Sequence, residues 1–243
     1  MEDPAGLILT VFFFSVVQSV FGVGLLVFGT PTLLLLGYSF ETTIALLLPC
    51  SLLISILQTW SGRQQLDGMR SGILLYCVPL IVVGLALVLR HLVALDVKLL
   101  VGLALIFSAS TRSSGRLRGA LARLLERHAK LYLMSMGFVH GISNMGGGLL
   151  TIFVTTTEDD KERIRAKIAY GYLLFAASQS ALLLLLRPAL FGVTNLLLVG
   201  IALLTYGTAG RLVYLKSSRL VYQHSITAFM MAYGLVLIGQ KLL

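Results

Sequence analysis

Charge is what this chain has least of. Asp, Glu, Lys and Arg together make up 12% of its 243 residues, against about 25% in a soluble globular domain. A water-soluble globule is excluded, and with 57% hydrophobic residues and a mean hydropathy of +0.93 the chain reads as a membrane protein throughout. There are two cysteines, Cys50 and Cys77, both inside apolar runs. That excludes a disulfide scaffold, and two thiols without a neighbouring His or carboxylate make a poor metal site. No cofactor motif is present either. The start, Met-Glu-Asp-Pro, lacks the basic region of a cleavable signal peptide, so the first apolar segment is expected to stay in the mature protein. The net charge of +9 would suggest nucleic acid in a soluble protein. Here it fits basic loops on the cytoplasmic side of a bilayer, and no nucleic-acid partner is expected.

What is present is a series of apolar windows at about 7 to 37, 42 to 60, 71 to 89, 95 to 111, 131 to 157, 164 to 186, 190 to 213 and 221 to 240. They predict an all-α, polytopic membrane protein of eight hydrophobic segments, with no room left for a soluble domain. The basic stretch Arg112 to Lys130 divides them four and four. This gives a first repeat over 1–111, a linker over 112–130 and a second repeat over 131–243. A shift of 121 positions aligns Glu41 with Glu162, Ala45 with Ala166, Leu52-Leu53 with Leu173-Leu174, and Gln58 with Gln179, which reads as a duplication. Leu117, Leu121, Leu124 and Leu125 among the bases of the linker suggest an interfacial cytoplasmic helix. The run from Thr157 to Arg165 reads as a capped helix start, and Pro31, Pro49 and Pro79 as helix kinks or ends.

The first and fifth segments are broken by glycine, at Gly22 and Gly24 and at Gly146, Gly147 and Gly148. As single helices they would be roughly 46 and 40 Å long, too long for one ordinary span of a ~30 Å hydrocarbon core and too short for two. Re-entrant hairpins fit that length. Charge supports them. Eight crossings would split the 19 basic residues 10 to 9, whereas six crossings and two hairpins split them 15 to 4, as the positive-inside rule expects. Three crossings per half make the repeats inverted, with both termini outside and the linker cytoplasmic.

Interrupted segments in corresponding positions point to a transporter's binding site. The glycines permit an unwound loop whose N–H groups would cradle an oxyanion, and the helices restarting after them aim positive dipole ends at the same place. Close helix packing is the competing explanation for the same glycines. Around the breaks lie Gln18, Ser19, Gln58, His140, Ser143, Asn144 and Gln179, neutral polar side chains predicted near mid-depth, where interhelical hydrogen bonding is the alternative role. With Gly22, Gly24, Gly146 and Gly147 they form the candidate substrate site. His140 is open to three readings: a packed neutral ring, an anion donor or a protonatable coupling group.

The glycine-rich stretch Phe21-Gly22-Val23-Gly24 followed by Pro31-Thr32-Leu33, with Gly137, Gly141 and Met145-Gly-Gly-Gly148 in the second half, resembles the sulfite exporter TauE/SafE family, also called the 4-toluenesulfonate uptake permeases. The resemblance covers essentially the whole chain. It implies secondary transport of sulfite, thiosulfate or an organosulfonate such as sulfoacetate across the plasma (inner) membrane. The expected partners are then a small anionic substrate and the lipid bilayer; the coupling ion, proton or sodium, and a homodimer are left open. An anion channel shares the site chemistry. An intramembrane hydrolase using His140 or His224 to activate Ser143 is disfavoured: the serine lacks a G-x-S-x-G elbow, and no orienting carboxylate lies at membrane depth.

Overall fold

The computed structural model describes residues 4–66, 72–92, 96–158, 160–210 and 219–242. Of the 19 basic residues counted above, Arg70, Arg211 and Lys216 lie outside these, as do the side chains of Lys161, Arg219 and Lys241; the side chain of His224 lies outside them as well. The described residues contain helices and turns and no strand. The helices are α1 (Pro4–Phe21), α2 (Thr30–Leu35), α3 (Phe40–Ser61), α4 (Val78–Leu89), α5 (Val97–Ser113), α6 (Gly115–Ser143), α7 (Gly146–Thr157), α8 (Lys161–Leu186), α9 (Val193–Thr205) and α10 (Arg219–Leu242). α1, α3 and residues 162–186 of α8 are each long and apolar enough to cross a bilayer. With the shorter apolar helices they fit a polytopic membrane protein.

Local chemistry explains most helix starts. Ser39, Asp96, Ser114 and Asp160 cap α3, α5, α6 and α8, each side chain accepting a first-turn N–H. Pro31 and Pro79 lie in the first turns of α2 and α4, while Pro49 is carried inside α3. A π turn precedes each of the first two prolines, Leu25–Gly29 and Ile73–Cys77. A proline cannot donate to the carbonyl four residues back, and the wider turn accommodates that loss. The basic linker becomes the first part of α6, whose axis lies 101° from that of α5 and which kinks at His128.

At both glycine-broken segments the chain turns back on itself. After α1, Gly22 adopts φ +75° and the returning Phe28 ring stacks on Phe14 with 5.7 Å between centroids. After α6, Asn144 adopts φ +61° and the returning Phe153 ring stacks on Tyr132 at 6.1 Å. The Tyr132 hydroxyl also donates to the Leu149 carbonyl at 2.8 Å. A Cβ on Gly24 would lie 2.5 Å from Gln18 N and 2.6 Å from Phe14 O; one on Gly146 would lie 2.5 Å from His140 Cβ and 3.0 Å from Met136 O. Positions 14, 18, 22 and 24 thus correspond to 136, 140, 144 and 146, one residue more than the 121-residue shift that pairs Gln58 with Gln179.

Gly146, Gly147 and Gly148 are not an unwound loop but the first turn of α7, and the reversal falls on Asn144. Asn is the side chain that best tolerates the left-handed region, so the glycines are not needed for the turn. They are needed for close approach: the Cβ positions of Gly147 and Gly148 are filled by the Tyr172 hydroxyl and by Ser108 Oγ.

The halves pack through antiparallel helix pairs. At one end of the α3–α8 pair Gly62 packs on Ala166, and at the other Glu41 Oε2 pairs with Arg187 Nε at 3.2 Å. α5 and α10 are also antiparallel, with Gly102 against Gly234 O and Ile238, and Arg112 Nε donating to Thr227 Oγ1 at 3.2 Å. Gly137 and Gly141 let α6 lie on the backbone of Cys77, Ile81 and Gly84.

Candidate functional site

α8 runs past both breaks. Gly22 rests on it at Arg165 O, Ile168 and Ala169 N; Gly147 meets Tyr172 one turn further on; the His140 ring packs on Phe175, with centroids 4.1 Å apart. The eleven candidate residues form two clusters along one helix, and Gly147 at the second break also lies against Val27 on the return limb of the first.

The first cluster is built on Gln18, which is fully buried. Its Nε2 donates to Ser51 Oγ at 3.0 Å, Ser55 Oγ at 3.2 Å and the Ser51 carbonyl at 3.2 Å. Its Oε1 accepts the Leu25 N–H at 3.2 Å, which ties the returning strand of chain to α1. Gln58 Nε2 donates to the carbonyls of Gln18 and Ser19 at 2.8 and 3.0 Å, and Arg165 Nη2 donates to the Ser19 carbonyl at 2.6 Å. The Ser19 hydroxyl itself turns back to the Ser15 carbonyl at 2.6 Å. The Gln18 carbonyl also accepts the Gly22 N–H at 2.8 Å, and the Ser19 carbonyl, left over where α1 stops, is met by side chains from α3 and α8, as a buried helix end requires.

The second cluster repeats the theme. Gln179 Nε2 reaches the His140 carbonyl at 3.4 Å, in the position Gln58 holds toward Gln18. His140 Nδ1 accepts the Gly146 N–H at 3.2 Å, the counterpart of Gln18 accepting Leu25 N–H. An Nδ1 that accepts leaves the proton on Nε2, so the buried ring presents a neutral N–H donor. Ser143 Oγ donates to the Val139 carbonyl at 2.6 Å and accepts the Met145 N–H at 3.3 Å, so it serves the turn and is not paired with an imidazole. Asn144 Nδ2 donates to Thr30 Oγ1 at 2.8 Å, linking the second break directly to the return limb of the first.

His140 Nε2, Asn144 Oδ1, Gln58 Oε1 and Gln179 Oε1 are buried without a hydrogen-bond partner of good geometry. Such groups are costly, about 1–3 kcal/mol each, and these four stand beside the two breaks. Among the described residues, Lys167 is the one buried charged side chain, and it pairs with Glu158. The two clusters are built mainly from neutral polar side chains within an apolar core, with Arg165 reaching the first.

Five contributors escaped sequence reasoning: Ser51, Ser55, Thr30, Tyr172 and Arg165. Ser51, Ser55 and Gln58 recur at i, i+4 and i+7 on α3, a polar stripe that helical periodicity could have revealed. Thr30 and Tyr172 carry no such signal. Arg165 was hidden in a run that reads as a capped helix start.

No curated protein and no solved structure gives a significant match to the chain. The model of the family described as sulfite exporter TauE/SafE matches residues 7–238, from the first turn of α1 to the last turns of α10. A match across nearly the whole length, on a chain of apolar helices broken twice at glycine-rich stretches, means that the chain belongs to the sulfite exporter TauE/SafE family.

Proposed function

We propose that this protein is a secondary transporter that moves a small sulfur-containing anion, such as sulfite, thiosulfate or sulfoacetate, across the plasma membrane by alternating access. The family is a transporter family, and membership makes the chain a sulfite- or anion-exporter-type membrane transporter. The observation that carries the finer reading is the link between the two broken segments. Asn144 at the second break bonds Thr30 beyond the first, and α8 carries both polar clusters. An anion held there would replace its hydration with neutral donors, chief among them the His140 Nε2–H.

In this reading the two fold-backs are re-entrant hairpins inserted from opposite faces, and residues 1–111 and 131–243 are inverted repeats about the 112–130 linker. The antiparallel pairing of α3 with α8 and of α5 with α10 supports this, because an axis in the membrane plane relates antiparallel helices. The termini then face outward and the linker the cytoplasm. Rocking one half against the other would open the site to each side in turn.

A thermal-shift screen of the purified protein tests the substrate class. Sulfite, thiosulfate or sulfoacetate should raise the melting temperature, since a ligand at about 100 times its Kd stabilises the folded state by about 2.7 kcal/mol. Stabilisation by a sugar or a cation and by none of the anions would overturn the reading.

A further inference from the structure

α6 has two faces. On one, Leu125 is buried and Leu121 packs on the core. On the other, Leu117, Leu124, Leu131 and Phe138 recur at seven-residue intervals, and all four are exposed. A seven-residue step drifts by only about 20° around a helix, so Leu117 and Leu124 form one stripe before the kink at His128, and Leu131 and Phe138 another after it. Such an exposed apolar stripe on a membrane helix faces lipid. A base precedes each of the three leucines: Arg116, Arg123 and Lys130, all exposed. Arg127, also exposed, lies between Leu124 and Leu131 on the same side. From Arg112 to Lys130 there are six bases and one acid, Glu126. Lys130 Nζ sits 5.5 Å from the centre of the half-buried Tyr76 ring, a pairing of base and aromatic that suits the headgroup level of a bilayer. α6 leaves α5 at 101°, so its bases are not carried straight out along the α5 axis.

We propose that this side of α6 docks anionic phospholipid. Leu117, Leu124 and Leu131 enter the acyl boundary, while the guanidinium groups of Arg116, Arg123 and Arg127 and the Lys130 ammonium bind headgroup phosphates. The surface does not depend on which substrate the protein moves. Exposed leucines alone would accept any bilayer; bases placed beside them select a negative one. The guanidinium fork matches two phosphate oxygens at once, and the buried leucines hold it at phosphate depth. A free phosphate ion would meet the charges but leave the leucines in water. α6 runs on to His140 and Ser143, so lipid held at its start bears on the helix that carries the second break.

The full-length protein in neutral detergent micelles is titrated with phosphatidylglycerol or phosphatidylcholine, and its melting temperature is followed. The same titration is run on Arg123→Gln, Arg116→Gln/Arg123→Gln and Arg118→Gln. Arg118 is exposed but lies about 200° around the helix from Arg116, so its variant loses the same charge from the other flank. Phosphatidylglycerol should raise the wild-type melting temperature more than phosphatidylcholine does, and about 0.5 M NaCl should weaken the effect. A base beside an anionic surface contributes about fivefold in affinity, so the midpoint should rise about fivefold in Arg123→Gln and about 25-fold in the double variant. Arg118→Gln should stay within about twofold of wild type. Equal effects of the two lipids overturn the proposal, as do equal midpoints in Arg118→Gln and Arg123→Gln. Inorganic phosphate that reproduces the wild-type shift without lipid overturns it in favour of a free anion. A dimer in micelles that Leu124→Ser converts to monomer overturns it in favour of a second copy of the chain. If the double variant does not fold, the two single variants decide. No sulfur anion is present in these titrations, so their failure leaves the transporter reading standing.

Discussion

At the scale of single residues, Gly22 and Asn144 hold the same left-handed backbone at the two reversals, yet different substitutions will harm them. Gly22→Ala puts a Cβ into a region L-residues avoid and 3.1 Å from the Arg165 carbonyl. It should cost about 1–2 kcal/mol of stability or more. Asn144→Gly keeps the turn but loses the bond to Thr30, and should cost only about 0.5–1.5 kcal/mol. Gly147→Ala should be worse than either, since Tyr172 and Val27 fill the space its methyl needs, whereas Gly200→Ala, in open space on α9, should be neutral or stabilise by about 0.5–1 kcal/mol. Chemical denaturation in detergent micelles gives all four values. A Gly147→Ala protein as stable as wild type would mean that the first turn of α7 is not packed as described.

Among elements, the end of α1 depends on side chains borrowed from its neighbours. Gln58→Leu removes two bonds to the end of α1 but leaves the Gly22 N–H on the Gln18 carbonyl and Arg165 on the Ser19 carbonyl, so it should cost about 0.5–1.5 kcal/mol, while Gln179→Leu, whose bond at 3.4 Å is the longer, should cost less. The Glu41–Arg187 pair is partly exposed, with side chains 24% and 41% accessible, so Glu41→Gln should change stability by less than about 1 kcal/mol. Arg187→Gln should cost more, because it also releases the Leu89 carbonyl. Equal effects of the two variants on the melting temperature would mean that the Leu89 contact contributes nothing.

This is also the scale at which the sequence was informative and where it stopped being so. Apolar windows and glycine breaks are local patterns, and the helices occupy those windows because their caps, prolines and apolar runs are local as well. The likeness of Gln58 and Gln179 was readable at a shift of 121; the contacts they make with equivalent carbonyls were not, because the fold-backs run at a shift of 122. The triple glycine reads as a loop, since nothing near it in sequence announces that Tyr172 and Ser108 come to lie against it. Thr30 became part of the site only through a partner 114 residues away.

For the whole molecule, the inverted arrangement makes a sidedness prediction. Single cysteines replacing Ser113 and Arg163, both exposed, should react with an impermeant thiol reagent from the same face of the membrane, and one replacing Gly192 from the opposite face. Cys50 and Cys77 are buried and should stay silent. Labelling of residues 113 and 163 from opposite faces would restore eight crossings and a parallel repeat. The central claim, that the neutral polar clusters along α8 serve a carrier for sulfur oxyanions, is tested most directly by counterflow. In proteoliposomes preloaded with unlabelled sulfite, uptake of labelled sulfite should be saturable and faster than into empty vesicles. Uptake indifferent to internal sulfite would indicate a channel, and no protein-dependent uptake of sulfite, thiosulfate or sulfoacetate would contradict the account.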